Sequence, residues 1–326
     1  MGLWRWLFGR PGRNWTCPQC GEPVTAEHGQ AGDARCSNCK TALRVDERGV
    51  VTADSSQPLS VATVVVSNIC GERAANETRM SELQEVVTGL LSKQTTDTVI
   101  LFPGGWFDAR PNKAKSLYRW VKSEIVPLLA VAESKVAVCC GVDGHREQLA
   151  AAITKDGMGA LARKFSLARG ESDLILASNH LASEQGLPRV LTVGNKRLFL
   201  SVCADDGAIA RNSLSVPDGG IDAILSFVHV FMPRPDPGSG ARSRLSGDSE
   251  YARHFLAGAS KAWHCRVFAA VVFWERRIPD WPTGVLWSQG TESTGTVTYE
   301  QIRIDPYASY TFHLDEGLAQ VRVYDI

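Results

Sequence analysis

The sequence lacks several features that would assign it to whole classes of protein. No stretch of its 326 residues approaches the roughly 18 consecutive apolar residues of a membrane-spanning helix. Lysine plus arginine and aspartate plus glutamate are equal, at 35 each, so no net charge steers the chain toward nucleic acid or an anionic membrane. The opening MGLWRWLFGR lacks the longer apolar region and cleavage site of a secretory signal. We therefore expect a cytoplasmic protein without a membrane span.

The hydrophobic content, 44%, is sufficient for a large core, and the length suits one large domain with a small appendage. Composition shifts divide the chain into a tail (1–13), a cysteine-containing module (14–45), a polar linker (46–60) and a large domain (61–326). Inside the large domain, the proline-, glycine- and serine-rich stretch from Pro233 to Glu250 predicts a mobile lid or a disordered insertion.

Four of the nine cysteines form two CxxC pairs, Cys17 with Cys20 and Cys36 with Cys39. Each pair can direct two thiolates at one tetrahedral ion, and the spacing resembles that of a zinc ribbon. We expect one structural Zn²⁺ per chain and no organic cofactor, with a redox CxxC pair as the alternative. The other five cysteines stand mostly in apolar runs, which suits reduced thiols.

The predicted ribbon is a small rigid surface on which a protein partner can dock. Through residue 45 the chain has six basic and three acidic residues, and no basic residues alternate with aromatic ones inside the ribbon. This composition gives little basis for phosphate contacts or base stacking, so we do not expect nucleic-acid binding.

In the large domain, apolar β-branched runs alternate with segments of helical period from Val61 to Cys140, and hairpin patterns follow. Two strand–helix–strand halves with antiparallel additions predict two mixed sheets packed face to face and covered by helices. The predicted fold class is therefore α/β.

A hairpin pattern leads to one cysteine of particular interest. Val190–Val193 and Leu198–Val202 flank Gly194-Asn195, Cys203 follows, and Asp205-Asp206-Gly207 predicts a turn. A thiol at such a bend can be presented together with backbone N–H groups, as nucleophilic acyl transfer requires. From this context alone, a small core residue is the simpler interpretation of Cys203.

Two short motifs resemble the nitrilase, or carbon–nitrogen hydrolase, superfamily. Thr154–Leu167, TKDGMGALARKFSL, is similar to the turn and Arg-Lys-x-x-Leu strand of that family, and Lys196–Asp206, KRLFLSVCADD, is similar to its Cys-x-Asp nucleophile strand. The resemblance extends over residues 61–326. It implies a nitrilase-like α-β-β-α sandwich, a small amide substrate and assembly into a homo-oligomer.

The same resemblance assigns roles to individual residues. It implies that Cys203 is the nucleophile and Lys164 the catalytic lysine, which stabilises the oxyanion with the N–H of Ala204. Glu171 stands near the position of a second, substrate-orienting glutamate in the family.

The chain departs from the family at its general base. Where the family has Pro-Glu-Gly, this sequence has Pro103-Gly104-Gly105, so Gly104 replaces the glutamate whose proton transfers contribute ~10²- to 10⁴-fold in rate. If only the base is missing, Gly104→Glu should restore activity. The histidines, including His229, have no ligand-like spacing and are interpreted as surface or core residues.

Three interpretations of this departure stay open. The first is a divergent amidase in which Glu171 or Asp108 replaces the lost base. The second is a catalytically inactive pseudoenzyme that binds a ligand or a protein through its pocket and zinc ribbon. The third is a structural subunit of an assembly.

Overall fold

The computed structural model describes residues 59–326 except 95, 169–170, 172–173, 212–213, 232–247, 289–296 and 316, together with five strands before residue 59. The chain divides into two compact units, Met1–Ser56 and Gln57–Ile326. The four cysteines of the predicted zinc ribbon lie outside the described residues, as does the predicted mobile loop up to residue 247.

The first unit contains short antiparallel strands. These are β1 (Trp15–Thr16), β2 (Pro23–Val24), β3 (Gly32–Arg35), β4 (Ala42–Val45) and β5 (Val51–Ala53). Strand β1 pairs with β2, and β3, β4 and β5 form a three-stranded sheet in that order.

The second unit is built on a 13-stranded connected sheet within the described residues. Its strands are β6 (Leu59–Asn68), β7 (Asp97–Leu101), β8 (Phe107–Asp108), β9 (Val136–Gly144), β10 (Glu147–Thr154), β11 (Gly157–Arg163), β12 (Val190–Val193), β13 (Lys196–Val202), β14 (Ala223–Phe231), β15 (Arg266–Trp274), β16 (Gly284–Val285), β17 (Ala308–Leu314) and β18 (Gly317–Asp325). Its helices are α1 (Asn76–Leu91), α2 (Ala114–Ala130), α3 (Asp205–Arg211), α4 (Asp248–Glu250), a π-helical segment (Tyr251–Leu256), α5 (Ala257–Trp263) and α6 (Tyr299–Ile302).

The sheet forks at its central strand, β6. One edge of β6 pairs along its length with β18, whereas the other edge pairs with β7 through residues 59–63 and with β15 through residues 65–68. From the fork, one leaf continues as β7-β9-β10-β11 and the other as β15-β14-β13-β12. Each leaf mixes parallel pairs near β6 with an antiparallel hairpin at its far edge.

The two leaves pack face to face, because apolar residues from both fill one buried cluster. Val61, Leu101 and Ala150 from one leaf pack there with Leu200 and Phe227 from the other. The outer face of the first leaf is covered by α1 and α2, and the outer face of the second by the π-helical segment and α5. The result is the predicted α-β-β-α sandwich.

Helix α1 shows why these residues form the outer layers. Met80, Leu83, Val86, Val87 and Leu90 recur at helical spacing and are all buried, so a single stripe of the helix packs on the sheet. None of the helices among the described residues is long and apolar enough to cross a membrane.

Candidate functional site

Cys203 lies in a sharp bend between strand β13 and helix α3. Its φ is +51°, a left-handed conformation that side chains rarely adopt, and its N–H donates to the carbonyl of Phe227 at 3.0 Å. The turn predicted at Asp205-Asp206-Gly207 is the first turn of α3, because this helix begins at Asp205. The bend leaves the thiol partly exposed at the end of a buried strand.

Asp205 connects this bend to the segment that follows Lys164. One carboxylate oxygen accepts the N–H groups of Phe165 and Ser166 at 2.9 and 2.7 Å, and the other accepts the N–H of Val202 at 3.0 Å. The buried guanidinium of Arg189 lies 3.6 Å from the same carboxylate. Burial raises the pKa of Asp205 to about 7, although Arg189 and the three N–H groups oppose this effect. The contacts fix the exit of β11 beside the exit of β13.

Lys164 is fully buried and its ammonium group is held by two side chains. It donates to Gln148 Oε1 at 2.8 Å and forms an ion pair with Glu171 at 2.7 Å. Its positive charge acts on the Cys203 thiol and favours the thiolate. The structure therefore brings Cys203, Lys164 and Glu171 into one group.

A histidine and an aspartate that the sequence analysis did not assign to the site complete this group. His229 Nε2 lies 3.0 Å from Asp143 Oδ1, and Asp143 is buried. The other ring nitrogen, Nδ1, is buried and has no conventional hydrogen-bond partner among the residues that the structure describes. The group beside it that can share a proton is the Cys203 thiol, whose interaction with the imidazole shifts both pKa values. His229, which the sequence analysis interpreted as a core or surface residue, therefore lines the same cavity as Cys203.

A β-bulge directs His229 toward the site. Between Phe227 and Val230, strand β14 has one residue more than the paired stretch of β15, because Phe227 pairs with Ala270 but Val230 pairs with Val272. A bulge changes the direction in which the following side chains point. The bulge therefore explains how a residue inside a regular strand pattern reaches the end of the sheet.

The glycine at position 104 provides the space for this imidazole. A Cβ atom on Gly104 would lie 2.6 Å from His229 Nδ1 and 2.6 Å from the carbonyl of Phe227, so no larger residue fits there. The backbone at Gly104 and Gly105 also packs directly on Gly141 of β9, whose own Cβ would lie 2.3 Å from the Gly105 nitrogen. His229 thus occupies the place beside the thiol that a side chain at position 104 would need.

The pKa values of the pair favour charge separation. Burial lowers the pKa of His229, but the charge and hydrogen bond of Asp143, together with Cys203, outweigh it and raise the pKa to about 9. Burial alone would raise the pKa of Cys203. The hydrogen bond and charge of His229, together with the charge of Lys164, outweigh the effect of burial and lower the pKa below that of an ordinary thiol. Both shifts favour a thiolate beside an imidazolium over a neutral thiol beside a neutral imidazole.

The group faces a cavity of about 430 Å³. Cys203, His229, Asp143, Gln148 and Glu171 line one part of its wall, and the rest includes Trp106, Trp274 and three arginines. Such a volume is typical of small-molecule sites.

Several other residues of the large domain have other contacts. The Asp108 carboxylate is held by Arg110 at 2.6 Å and by Arg73 at 2.9 Å, so it is not placed as a base for the thiol. Trp263 packs in the core and donates to the carbonyl of Leu214, and Cys139 is buried. Ala204 follows Cys203, and its carbonyl accepts the N–H groups of Gly207 and Ala208 in α3. The contribution of the Ala204 N–H to an oxyanion site stays a prediction.

Comparison with known proteins gives one family match and several distant structures. Residues 15–54 match a family described as a domain of unknown function, DUF8512. A search of curated proteins found no match.

Among solved structures, an amidase from Nesterenkonia sp. is 12% identical with a TM-score of 0.46, covering 83% of this chain and 90% of the amidase. A carbon–nitrogen hydrolase superfamily protein from Xanthomonas campestris, solved with an arsenic adduct in its active site, is 15% identical with a TM-score of 0.43, covering 66% and 76%. Similarity of this size does not identify a reaction.

Proposed function

We propose that the chain is a divergent member of the nitrilase superfamily that hydrolyses the carbon–nitrogen bond of a small amide. Cys203 is the nucleophile, and the His229–Asp143 pair replaces the missing glutamate as the proton-transfer group. The observation that carries this proposal is one buried imidazole with a carboxylate on one side and a thiol of lowered pKa on the other. This pair removes the main reason to favour an inactive pseudoenzyme, which was the absence of a base.

The first half of the reaction forms a thioester. The Cys203 thiolate attacks the amide carbonyl carbon and forms a C–S bond, while the carbonyl electron pair moves onto oxygen. The ammonium of Lys164, held by Glu171 and Gln148, stabilises that oxyanion together with the Ala204 N–H. The C–N bond then breaks as the His229 imidazolium gives its proton to the departing nitrogen.

The second half regenerates the thiolate. A water molecule gives a proton to the neutral His229 imidazole and attacks the thioester carbon. The C–S bond breaks, the carboxylic acid leaves, and His229 is again an imidazolium beside the thiolate. The sum of both halves is amide plus water giving acid plus amine.

Turnover of a panel of short amides by the full chain tests this assignment. We expect hydrolysis of at least one amide by the wild type, none by Cys203→Ala, and a decrease of ~10²- to 10⁴-fold in kcat/KM for His229→Gln. The matched control is His313→Gln, which changes an exposed histidine in β17.

Labelling of the thiol by iodoacetamide provides a second measurement that does not depend on the choice of substrate. Wild-type Cys203 should react rapidly at pH 7, and His229→Gln should slow the reaction. Slow labelling with the pH dependence of an ordinary thiol, together with no turnover of any amide, would contradict the proposal.

We further propose that Cys17, Cys20, Cys36 and Cys39 hold one structural Zn²⁺. Two observations of the first unit support this. The β1–β2 pairing ends at Thr16 opposite Pro23, on either side of the first CxxC pair in the sequence. The β3–β4 pairing ends at Arg35 opposite Ala42, on either side of the second. A zinc ion bound by four thiolates would supply folding free energy to a unit too small for a core of its own.

A further inference from the structure

A buried group of hydroxyls and one carboxyl is in contact with the backbone of Cys203. Ser201 of β13 and Ser226 of β14 stand opposite each other in the parallel ladder. Asp206 lies in the first turn of α3, and Tyr251 is the first residue of the π-helical segment. All four side chains are buried, and the proposed mechanism uses none of them.

The Asp206 carboxyl forms hydrogen bonds only with hydroxyl groups among the side chains that the structure describes. Its Oδ1 lies 2.6 Å from Ser201 Oγ, and its Oδ2 contacts Ser226 Oγ and lies 2.9 Å from Tyr251 Oη. In the described part of the chain, no lysine, arginine or histidine acts on it. Burial raises the pKa of Asp206, although the three hydroxyl groups oppose this effect.

The single proton of the Tyr251 hydroxyl shows where a proton on Asp206 must lie. Tyr251 Oη is 2.5 Å from the carbonyl oxygen of Cys203 as well as 2.9 Å from Asp206 Oδ2. A carbonyl oxygen has no proton, so the shorter contact uses the proton of the phenol. If that proton pointed to Asp206 instead, two oxygen atoms with no proton between them would lie 2.5 Å apart. The contact with Asp206 therefore needs a proton from the carboxyl group.

The carbonyl that Tyr251 contacts belongs to the same peptide group as the Ala204 N–H. This peptide group is trans and planar, so its C=O and N–H point in opposite directions. A hydrogen bond that fixes the carbonyl also fixes the direction of the N–H, and it strengthens the N–H as a donor. The other donor to this carbonyl, the N–H of Asp206, is more distant at 3.3 Å.

We propose that Tyr251 is a positioning residue that orients the Cys203–Ala204 peptide group for the oxyanion, and that Asp206 is a neutral carboxylic acid that donates to the Tyr251 hydroxyl. A neutral acid also keeps a second negative charge away from the Cys203 thiolate. This inference rests on the proposed function, because it concerns the oxyanion donor of the same site.

Two reactions of Cys203 separate the orientation of this peptide group from general damage to the site. p-Nitrophenyl acetate acylates the thiolate through an oxyanion, whereas iodoacetamide alkylates the thiolate without one. Tyr251→Phe should lower the acylation rate, measured as the burst of nitrophenolate, by ~10-fold or more, because a misdirected oxyanion donor loses most of its effect. Its alkylation rate should stay within about twofold of the wild type, because the thiolate and its imidazole partner are kept.

The chain offers suitable controls for this comparison. The ring of Tyr251 packs on Phe231 and Phe255, so phenylalanine keeps the packing and removes only the hydroxyl. Tyr307→Phe removes an exposed tyrosine hydroxyl that is hydrogen-bonded to Ser60, and it should change neither rate. Subtracting the rates of Cys203→Ala removes the contribution of other thiols.

Infrared spectroscopy tests the proton on Asp206 without any turnover. The difference spectrum between the wild type and Asp206→Asn at pH 7 should contain the C=O stretch of a protonated carboxyl group, and this stretch should shift in Tyr251→Phe. Asp206→Ala should lower the acylation rate about as much as Tyr251→Phe does. Asp206→Asn, which keeps an N–H donor for Tyr251, should lower it less.

The two parts of the inference have separate contrary outcomes. A carboxylate band in place of the protonated one, or equal acylation rates in Asp206→Ala and Asp206→Asn, would overturn the neutral acid. Equal losses of acylation and alkylation in Tyr251→Phe, or no loss of either, would overturn the positioning role. A wild type that hydrolyses no amide would count against the proposed function, and the ester and infrared measurements would still test Tyr251 and Asp206.

Discussion

The His229 imidazole has a carboxylate on one side and a thiol on the other, and the carboxylate raises the pKa of the imidazole. We predict that Asp143→Asn moves the alkaline limit of kcat/KM to lower pH. In the wild type this limit reflects loss of the His229 proton at a pKa of about 9. Without the Asp143 charge, the pKa should fall by one unit or more toward the ordinary value of about 6.5. Less imidazolium is then available at pH 8 to protonate the departing nitrogen.

The pH profile of kcat/KM checks this prediction, with the pH profile of iodoacetamide labelling as a second readout. Asp156→Asn, in the exposed turn between β10 and β11, is the matched control and should keep the wild-type profile. An unchanged alkaline limit in Asp143→Asn would mean that Asp143 does not control the imidazole.

Gly104 provides a prediction that is opposite to the one from sequence. We expect that Gly104→Glu does not restore activity but lowers both thiol reactivity and stability. Any side chain at this position meets His229 Nδ1 and the carbonyl of Phe227, each at 2.6 Å from the added Cβ. The imidazole must move away from the thiol, and the backbone carbonyl cannot move without disturbing β14. Urea unfolding and iodoacetamide labelling measure the two effects, and Gly104→Ala should show both in milder form. A more active Gly104→Glu would show that His229 is not the base.

Sequence motifs identified part of this site because some of its residues stand in short contiguous patterns. Lys164 and Cys203 were placed by such patterns, and Glu171 by its distance from Lys164. His229 and Asp143 stand in ordinary apolar strands, and the bulge that directs His229 depends on pairing with β15. The available signal was Gly104 itself, because a glycine at this position leaves space for another side chain.

At the scale of elements, Asp205 connects the ends of β11 and β13. We predict that Asp205→Ala lowers the free energy of unfolding by about 3–5 kcal/mol, since it leaves the buried Arg189 charge without its carboxylate and three N–H groups without their acceptor. Cys203 labelling should also slow in the protein that remains folded, because Lys164 is no longer held beside the thiol. Urea unfolding measures the first effect, and Asp156→Ala is the control. Unchanged stability would show that the Arg189–Asp205 contact contributes little.

Most elements of the large domain were predicted from periodicity, and their ends were less accurate. The apolar β-branched pattern begins at Val61, whereas the first strand of the large domain extends over Leu59–Asn68, and helix α1 begins at Asn76, four residues before its first buried apolar residue, Met80. The fork at β6 was not predicted, because it depends on which strands pair with each half of one edge. The π-helical segment Tyr251–Leu256 was also not predicted, since apolar spacing does not distinguish a π-helix from an α-helix.

At the scale of the whole molecule, face-to-face packing of the two leaves follows from the sequence. Nearly continuous apolar runs such as VATVVV and AILSFV predict strands buried on both faces, and both faces are covered in the structure. Assembly into a homo-oligomer and a protein partner for the zinc ribbon stay predictions.

The division into two compact units supports a last prediction, about the metal. We expect the purified chain to contain about one zinc ion, and Cys36→Ser to lose it, because the remaining three thiolates no longer close a tetrahedral site. Metal content by inductively coupled plasma mass spectrometry measures this, and Cys70→Ser, which changes an exposed cysteine outside the CxxC pairs, is the matched control.

Since Cys203 belongs to the other unit, its labelling rate should change by less than about twofold in Cys36→Ser, as expected for a metal that stabilises only the fold around it. A zinc-free wild type, or loss of Cys203 reactivity together with the zinc, would contradict this separation of the structural metal from the catalytic thiol.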